Sequence, residues 1–493
     1  METSSPFERR SGILLHPSSL PSARSQGDLG DTAHRFVDFL AEAGQTVWQV
    51  LPLGPTHDGG SPYQCLSVHA GNPRLISRER LVEMGWLPED LLRADPSSEA
   101  AVYGDDGLWA QALHGFNAHA DEAARTAYAQ FCTAQRDWLE DYALFVALRA
   151  EHHHSAWTDW PASLRDRDIA ALVAAHQQHQ AVIERVCFEQ FVFYHQWAEL
   201  RQHANSRGIL LFGDMPIFVA HDSVDVWVDR HLFKLDERGQ PTVVAGVPPD
   251  YFSATGQRWG NPHYRWDAMA QSGYRWWIRR IESHLAMLDL IRIDHFRGFE
   301  AFWEIPAASP DAIGGYWVDG PREALFDALR ARFGELPFVA EDLGVITPEV
   351  YALRDRYALP GMRILQFAFD GAADNPYLPH NYSRAAVVYT GTHDNDTTVG
   401  WYQSLDEGAR QHVEEYLGYP REAMPWSLIR AALSSVAEMA IIPMQDALAL
   451  GAAHRMNVPG TTSPSNWRWR FDWHQVPSDL APRLQRMTHL YGR

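Results

Sequence analysis

Short apolar runs rich in β-branched residues recur along this chain, separated by stretches with helical spacing, and that alternation restricts the fold more than any other feature. The runs are Ile13–Leu15, Thr46–Leu51, Ile209–Phe212, Leu290–Ile293, Phe338–Ala340, Met362–Phe369, Ala386–Tyr389 and Met439–Met444. Before the third, Phe191, Tyr194 and Ala198 have helical spacing, and Gly208 sits where a helix C-cap belongs. Trp277, Ile281, Leu285 and Leu288 share one helical face before the fourth. After the fifth, Thr347 and Pro348 read as an N-cap followed by proline at the first helical position. Strand–helix alternation requires a parallel sheet, and eight repeats predict a closed (β/α)8 TIM barrel. A ninth candidate strand, Phe302–Ile305, is expected in an excursion after the fourth.

The spacing is uneven. The stretch from Leu51 to Ile209 is too long for one crossover, and residues 78–190 read as an inserted, mainly helical subdomain interrupted at Asp95-Pro96-Ser97-Ser98. Residues 219–272 are dense in Gly, Pro and aromatics and read as an inserted loop subdomain over the barrel mouth. The last strand lies close to the C-terminus, which leaves no room for a C-terminal β-sandwich domain. Residues 1–493 are therefore expected to form one barrel with insertions.

Charge narrows the function. There are 42 Lys+Arg against 62 Asp+Glu, a formal net charge of −20, which repels phosphate backbones and argues against a nucleic-acid partner. No apolar run is long enough to span a bilayer, so no membrane partner is expected. Met1 to Gly12 lacks an apolar signal core. Cys65, Cys132 and Cys187 are isolated and lack metal-ligand spacing, which suits a reducing, cytoplasmic compartment. The aromatic content, 19 Trp, 18 Tyr and 22 Phe, offers flat faces for sugars or bases, although most of it should be core.

Carboxylates close several strands. Leu-Phe-Gly-Asp ends at Asp214, Ile-Arg-Ile-Asp at Asp294 and Phe-Val-Ala-Glu at Glu341, and Asp394 lies just past the seventh run. In a (β/α)8 barrel these are the C-terminal strand ends, the face on which active sites are built. Any one of these acids suits a helix N-cap or a buried ion pair; four at strand ends point to a site. Arg292 and Asp294 are two apart in a strand, so both leave on one face, and the guanidinium is expected to keep Asp294 ionised. Glu341 has no basic neighbour in its own strand, so apolar walls and like charges should raise its pKa, as a proton donor requires. Two carboxyl groups with opposed shifts suit glycosidic bond chemistry.

Six motifs, in order, resemble those of the disproportionating 4-α-glucanotransferases, the amylomaltase family. They are Gly213-Asp-Met-Pro-Ile-Phe-Val219, Pro248-Pro-Asp-Tyr-Phe-Ser253 with Gly256-Gln-Arg-Trp-Gly-Asn-Pro262, Ile291-Arg-Ile-Asp-His-Phe-Arg-Gly298, Ala340-Glu-Asp-Leu-Gly344, Gly391-Thr-His-Asp-Asn-Asp-Thr397 and Asn466-Trp-Arg-Trp-Arg470. The resemblance runs from Gly12 to about Arg470 and is weakest in the helical insertion. It implies a retaining transferase acting on α-1,4-glucans such as maltooligosaccharides, amylose, starch or glycogen chains, with cyclic glucans as possible products and no cofactor or metal. By position, Asp294 matches the nucleophile, Glu341 the general acid/base and Asp394 the third acid. Arg292, His295, His393 and Asp214 match residues around the reacting sugar, and Tyr63 matches a further aromatic of the sugar channel. Tyr251, Phe252, Gln257 and Trp259 fall in the motif expected to cover the mouth, and Asn466 in the last motif. Retention calls for carboxyl groups about 5–5.5 Å apart. Oligomeric state is left unassigned.

Two other readings compete. An α-glucan hydrolase would use the same acids with water as acceptor, and a non-catalytic glucan-binding barrel would be expected to lack one of Asp294, Glu341 and Asp394. His152-His153-His154 reads as a solvated face, because successive helical residues diverge.

Overall fold

The structure is a computed structural model describing residues 9–22, 26–93, 106–249 and 253–493. These described residues form twelve strands: β1 Arg10–Leu14, β2 Val47–Gln49, β3 Leu210–Pro216, β4 Val243–Val247, β5 Gln257–Pro262, β6 Leu290–Asp294, β7 Ala301–Pro306, β8 Tyr316–Asp319, β9 Phe338–Ala340, β10 Gly361–Ile364, β11 Ala386–Tyr389 and β12 Met439–Pro443. Eight close into a parallel barrel in the order β1-β12-β11-β10-β9-β6-β3-β2, which is the (β/α)8 fold read from the apolar runs. The Met362–Phe369 run is strand only at its start: Leu365–Phe367 turns into a 3-10 helix.

Local chemistry sets the entries to the strands. Helix Gln180–Ser206 ends at Gly208, whose φ of 75° is costly for a residue with a Cβ. There Gly208 N–H donates to Asn205 O and Ile209 N–H to Ala204 O, a C-terminal cap that delivers the chain into β3. Helix Pro348–Arg356 starts at its proline, although the Thr347 side chain makes no cap bond. The His152–His154 trio lies just past helix Arg136–Glu151, with His153 and His154 left-handed, so these residues form a turn rather than a helical face.

The ninth strand and the loop region combine in one structure. β4 and β5 pair antiparallel with each other, and β4 pairs with β7, which pairs with β8, giving a four-stranded side sheet in the order β5-β4-β7-β8. Residues 219–272 thus share a sheet with residues that follow β6. Most of the described part of residues 78–190 is helical, and its aromatics pack inward: Phe116 lies 4.9 Å from Trp86 and 5.1 Å from Phe188. Each such side chain contributes about 1.5–3 kcal/mol by leaving water. The break at Asp95-Pro96-Ser97-Ser98 lies outside the described residues.

Two buried glutamines on helix Gln180–Ser206 hold the connection after β2. Gln190 pairs with both backbone groups of Gly71 at 2.8 and 2.9 Å, and Gln196 does the same for Ser77 at 2.8 and 3.0 Å. These bonds replace a strand partner and steady the loop that carries Tyr63. After β12 the chain runs through short turns into helix Leu480–Leu490.

At Gly12 in β1, an added Cβ would lie 2.3 Å from the Val47 carbonyl oxygen and 2.6 Å from its Cβ. G12A therefore has to spread β1 from β2, and the expected loss is about 1–3 kcal/mol. A thermal unfolding midpoint equal to that of the native protein would show that the barrel absorbs the methyl group there.

Candidate active site

Strand register brings the charges together. Asp214 of β3 lies opposite Arg292 of β6, and Ile293 lies opposite Ala340 of β9. The next residues, Asp294 and Glu341, therefore stand side by side at the carboxyl ends of neighbouring strands. The backbone confirms it: Glu341 N–H donates to Ile293 O at 3.0 Å, and Phe296 N–H donates to Glu341 O at 3.1 Å.

Arg292 is the hub. Its Nη1 reaches both Asp214 oxygens at 2.7 Å, and its Nη2 lies 2.8 Å from Asp294 Oδ1. The Asp214 side chain is sealed from solvent, whereas the Asp294 side chain keeps 29% of its surface open. Tyr63 donates its hydroxyl proton to Asp214 Oδ2 at 2.6 Å, so its oxygen is an acceptor for His393 Nε2–H at 2.9 Å. His393 Nε2 also lies 3.4 Å from Asp394 Oδ2, and Asn457 Nδ2 donates to Asp394 Oδ1 at 2.7 Å. A continuous chain of polar contacts thus joins Asp214 on one wall to Asp394 on the other.

The Gly391–Thr397 motif is mostly scaffolding. Asn395 Oδ1 accepts from Thr392 N–H and its hydroxyl at 2.8 and 2.9 Å, and Thr397 caps the next helix through Gly400 N–H. Buried Asp446 accepts from Thr390 and from Thr398, which anchors the turn presenting His393 and Asp394. Just past β6, His295 is left-handed (φ 52°), a conformation that a β-carbon disfavours. The bend aims its N–H at Glu341 Oε2, 2.7 Å away, and Leu343 N–H donates to Oε1 at 3.2 Å. Trp259 meets the His295 ring edge to face at 4.9 Å.

Proton affinities separate the acids. Burial raises Glu341 to about 8; the pull of Arg292 and the His295 N–H oppose this, and Asp294 adds to it. Burial also raises Asp294, to about 6, and outweighs Arg292. This corrects the expectation that Arg292 would keep Asp294 low: the arginine is shared with Asp214, whose own charge pushes Asp294 up. Asp394 is held below the usual carboxylate range, because His393 and the bonds from His393 and Asn457 overcome the cost of burial. Burial favours neutral His393, yet Asp394 and Asp214 lift its pKa above the ordinary histidine value. Burial takes His295 down to about 3, leaving it a neutral imidazole.

Of the other residues expected to bind, Gln257 accepts from the Trp259 indole at 3.1 Å. Asn466 spends its carboxamide on its own loop, accepting from Val458 N–H and donating to Thr461. Tyr251 and Phe252 lie outside the described residues. The structure adds Asn457 and Trp467, the latter 5.8 Å from Tyr63 and 5.9 Å from His393, ring to ring. Trp467 was visible as part of the last motif; Asn457 carried no signal in the sequence. Among the described residues, no group of three or more His, Cys, Asp or Glu is placed to hold a metal ion, and no helix is long and apolar enough to cross a membrane.

A family model described as 4-alpha-glucanotransferase matches residues 15–475. A 4-alpha-glucanotransferase of Synechocystis is 50% identical over 99% of this chain and 98% of its own length. One from Thermus thermophilus is 49% identical over 98% of this chain and 99% of its own. Among solved structures, the amylomaltase from Streptococcus agalactiae in complex with acarbose matches with a TM-score of 0.94 at 37% identity, covering 99% of this chain and 100% of that one.

Replacing Arg292 by Leu leaves Asp214 buried without its cation, at an expected cost of about 3–5 kcal/mol. In that variant the folded-state pKa of the stranded acid rises above its unfolded value. The deficit is then full at alkaline pH and shrinks as pH falls through the raised pKa. Thermal midpoints of both proteins at about pH 8 and about pH 5 measure this; equal deficits at the two would contradict the charge assignment.

Proposed function

This chain belongs to the 4-alpha-glucanotransferase family and carries its glucan-transfer activity, and on that premise we propose a retaining mechanism run by Asp294, Glu341 and Asp394. One observation carries the proposal: strand register sets Asp294 at the end of β6 beside Glu341 just past β9, with Glu341 N–H bonded to Ile293 O, and burial pushes Glu341 the further toward its protonated form. Glu341 donates its proton to the glycosidic oxygen while an Asp294 oxygen attacks the anomeric carbon. The C–O bond to the leaving chain breaks and a covalent glycosyl-enzyme ester forms. Glu341, now a carboxylate, takes the proton from the 4-hydroxyl of an acceptor sugar, whose oxygen displaces Asp294 and restores an α-1,4 bond. Donors would be maltooligosaccharides, amylose, starch or glycogen chains, and intramolecular attack would give cyclic glucans.

The remaining groups hold the sugar. Asp394, kept ionised by His393 and Asn457, faces the positive charge that develops on the ring. Neutral His295 and the His393–Tyr63–Asp214 chain offer hydrogen-bond partners to hydroxyls. Trp259, against His295, and Trp467, against Tyr63 and His393, supply aromatic walls, which favours a bound sugar over water as acceptor. Free Cys65, Cys132 and Cys187 support a cytoplasmic setting, and the glucan-transfer activity supports a role in maltose, starch or glycogen metabolism.

Incubation with maltotriose separates this reading from hydrolysis. Transfer yields glucose and a ladder of longer oligomers; products shorter than the substrate alone would assign a hydrolase. E341Q is expected to lose about 10²–10⁴ in turnover while retaining maltooligosaccharide binding, and undiminished turnover would remove Glu341 from the acid/base role. The profile of kcat/KM against pH should be bell-shaped. It falls on the acid side as Asp294 takes up a proton near its value of about 6. It falls on the alkaline side as Glu341 loses its proton near about 8.

A further inference from the structure

One packed contact beside Glu341 has no part in the chemistry above. Arg297 lies in the 3-10 turn Phe296–Phe299 that follows His295, and only 6% of it is exposed. Its guanidinium sits 3.9 Å over the ring of Trp317 and donates to the Val345 carbonyl. Val345 belongs to the loop that leaves β9 through Glu341. Trp317 belongs to β8, the outer strand of the side sheet, and meets Trp303 of β7 edge to face at 5.1 Å. Arg297 Nε is buried without a hydrogen-bond acceptor, so the indole face is what compensates that part of the cation.

The near end of the same loop is held separately. Asp342 accepts from Met362 N–H at 2.7 Å and pairs with Arg354 at 2.5 Å and Arg363 at 3.4 Å. Between the two anchors lies Leu343, whose N–H reaches one Glu341 oxygen, while the other is held by His295 N–H from the turn that carries Arg297. Resting on the reading of Glu341 as the acid/base, we propose that Arg297 and Trp317 are positioning residues. Their stack latches the side sheet onto the 341–345 loop and keeps both N–H donors trained on the Glu341 carboxyl group.

Trp317 is the residue to change, because it is 41% exposed on an outer strand and its loss should leave the barrel folded. The other charges facing Glu341 are Arg292 and Asp294 from β6 and Asp342 from its own loop, and W317A removes none of them. N–H donors favour the carboxylate, so loosening them moves the alkaline limb of the pH profile upward. With maltotriose as substrate, W317A should lose about tenfold in kcat with KM nearly unchanged, and its alkaline limb should shift to higher pH. W317F, which keeps an aromatic face, should recover most of both, and R297K, which keeps the charge without the planar stack, should behave like W317A. Unchanged kcat and limb in W317A would overturn the proposal. So would a loss that follows a lower melting temperature with the limb unmoved, or W317F no better than W317A. Turnover persisting in E341Q would instead count against the acid/base reading itself, so the two failures are distinguishable.

Discussion

Everything in the site follows from one buried arginine divided between two carboxylates. Arg292 cannot shed its proton to escape burial, and at an effective dielectric of about 20 a pair of charges 4 Å apart is worth about 4 kcal/mol. Asp214 takes both contacts of Nη1 and is shut off from water, so it acts as the buried partner of the arginine. Asp294 receives the other nitrogen only and stays partly open. That unequal division leaves Asp294 oriented but incompletely neutralised, the condition in which a carboxylate oxygen is still available to attack carbon.

The division depends on backbone register. Parallel strands in a closed barrel present equivalent positions side by side, so Asp214 and Arg292 meet without any adjustment of the loops. Loop-borne groups need more support. Tyr63 depends on a connection held by Gln190 and Gln196, and His393 and Asp394 depend on a turn clamped by Asp446. Each clamp is a side chain replacing a missing strand partner.

The barrel and the strand-end acids were readable because their signals are local: an apolar run, a terminal carboxylate, an arginine two residues away. What escaped was non-local. Phe302–Ile305 showed itself as a strand, but nothing nearby indicated that its partners would be Val243–Val247 on one side and Tyr316–Asp319 on the other. The Asp294 shift went the other way for the same reason: Arg292 is two residues away in sequence, whereas the burial that raises Asp294 and the nearby charge of Asp214 come only with the fold. In the last motif, Asn466 braces the loop, while neighbouring Trp467 packs against Tyr63 and His393 and distant Asn457 bonds Asp394, a distinction that depends on the loop's path alone. Met362–Phe369 kept its apolar pattern beyond the strand because Leu365 and Ala368 are buried too, although Phe367 turns outward.

Counting charges explains why the chemistry needs one proton in this place. Asp214, Asp294, Glu341 and Asp394 surround Arg292, and Asp394 and Asp214 draw His393 toward its protonated form. Even with His393 protonated, four ionised acids would leave the cluster net negative in a partly dry cleft, which burial strongly disfavours. A proton relieves part of that, and burial favours it on Glu341 over Asp294. In the proposed mechanism Glu341 becomes a carboxylate as the leaving oxygen takes that proton, so the total charge is unchanged. What changes is its distribution: the positive charge developing on the ring forms against the carboxylates of Asp294 and Asp394. Binding is strongest where the barrier is highest, and on the proposed mechanism the proton required to reach it already sits on the group that donates it.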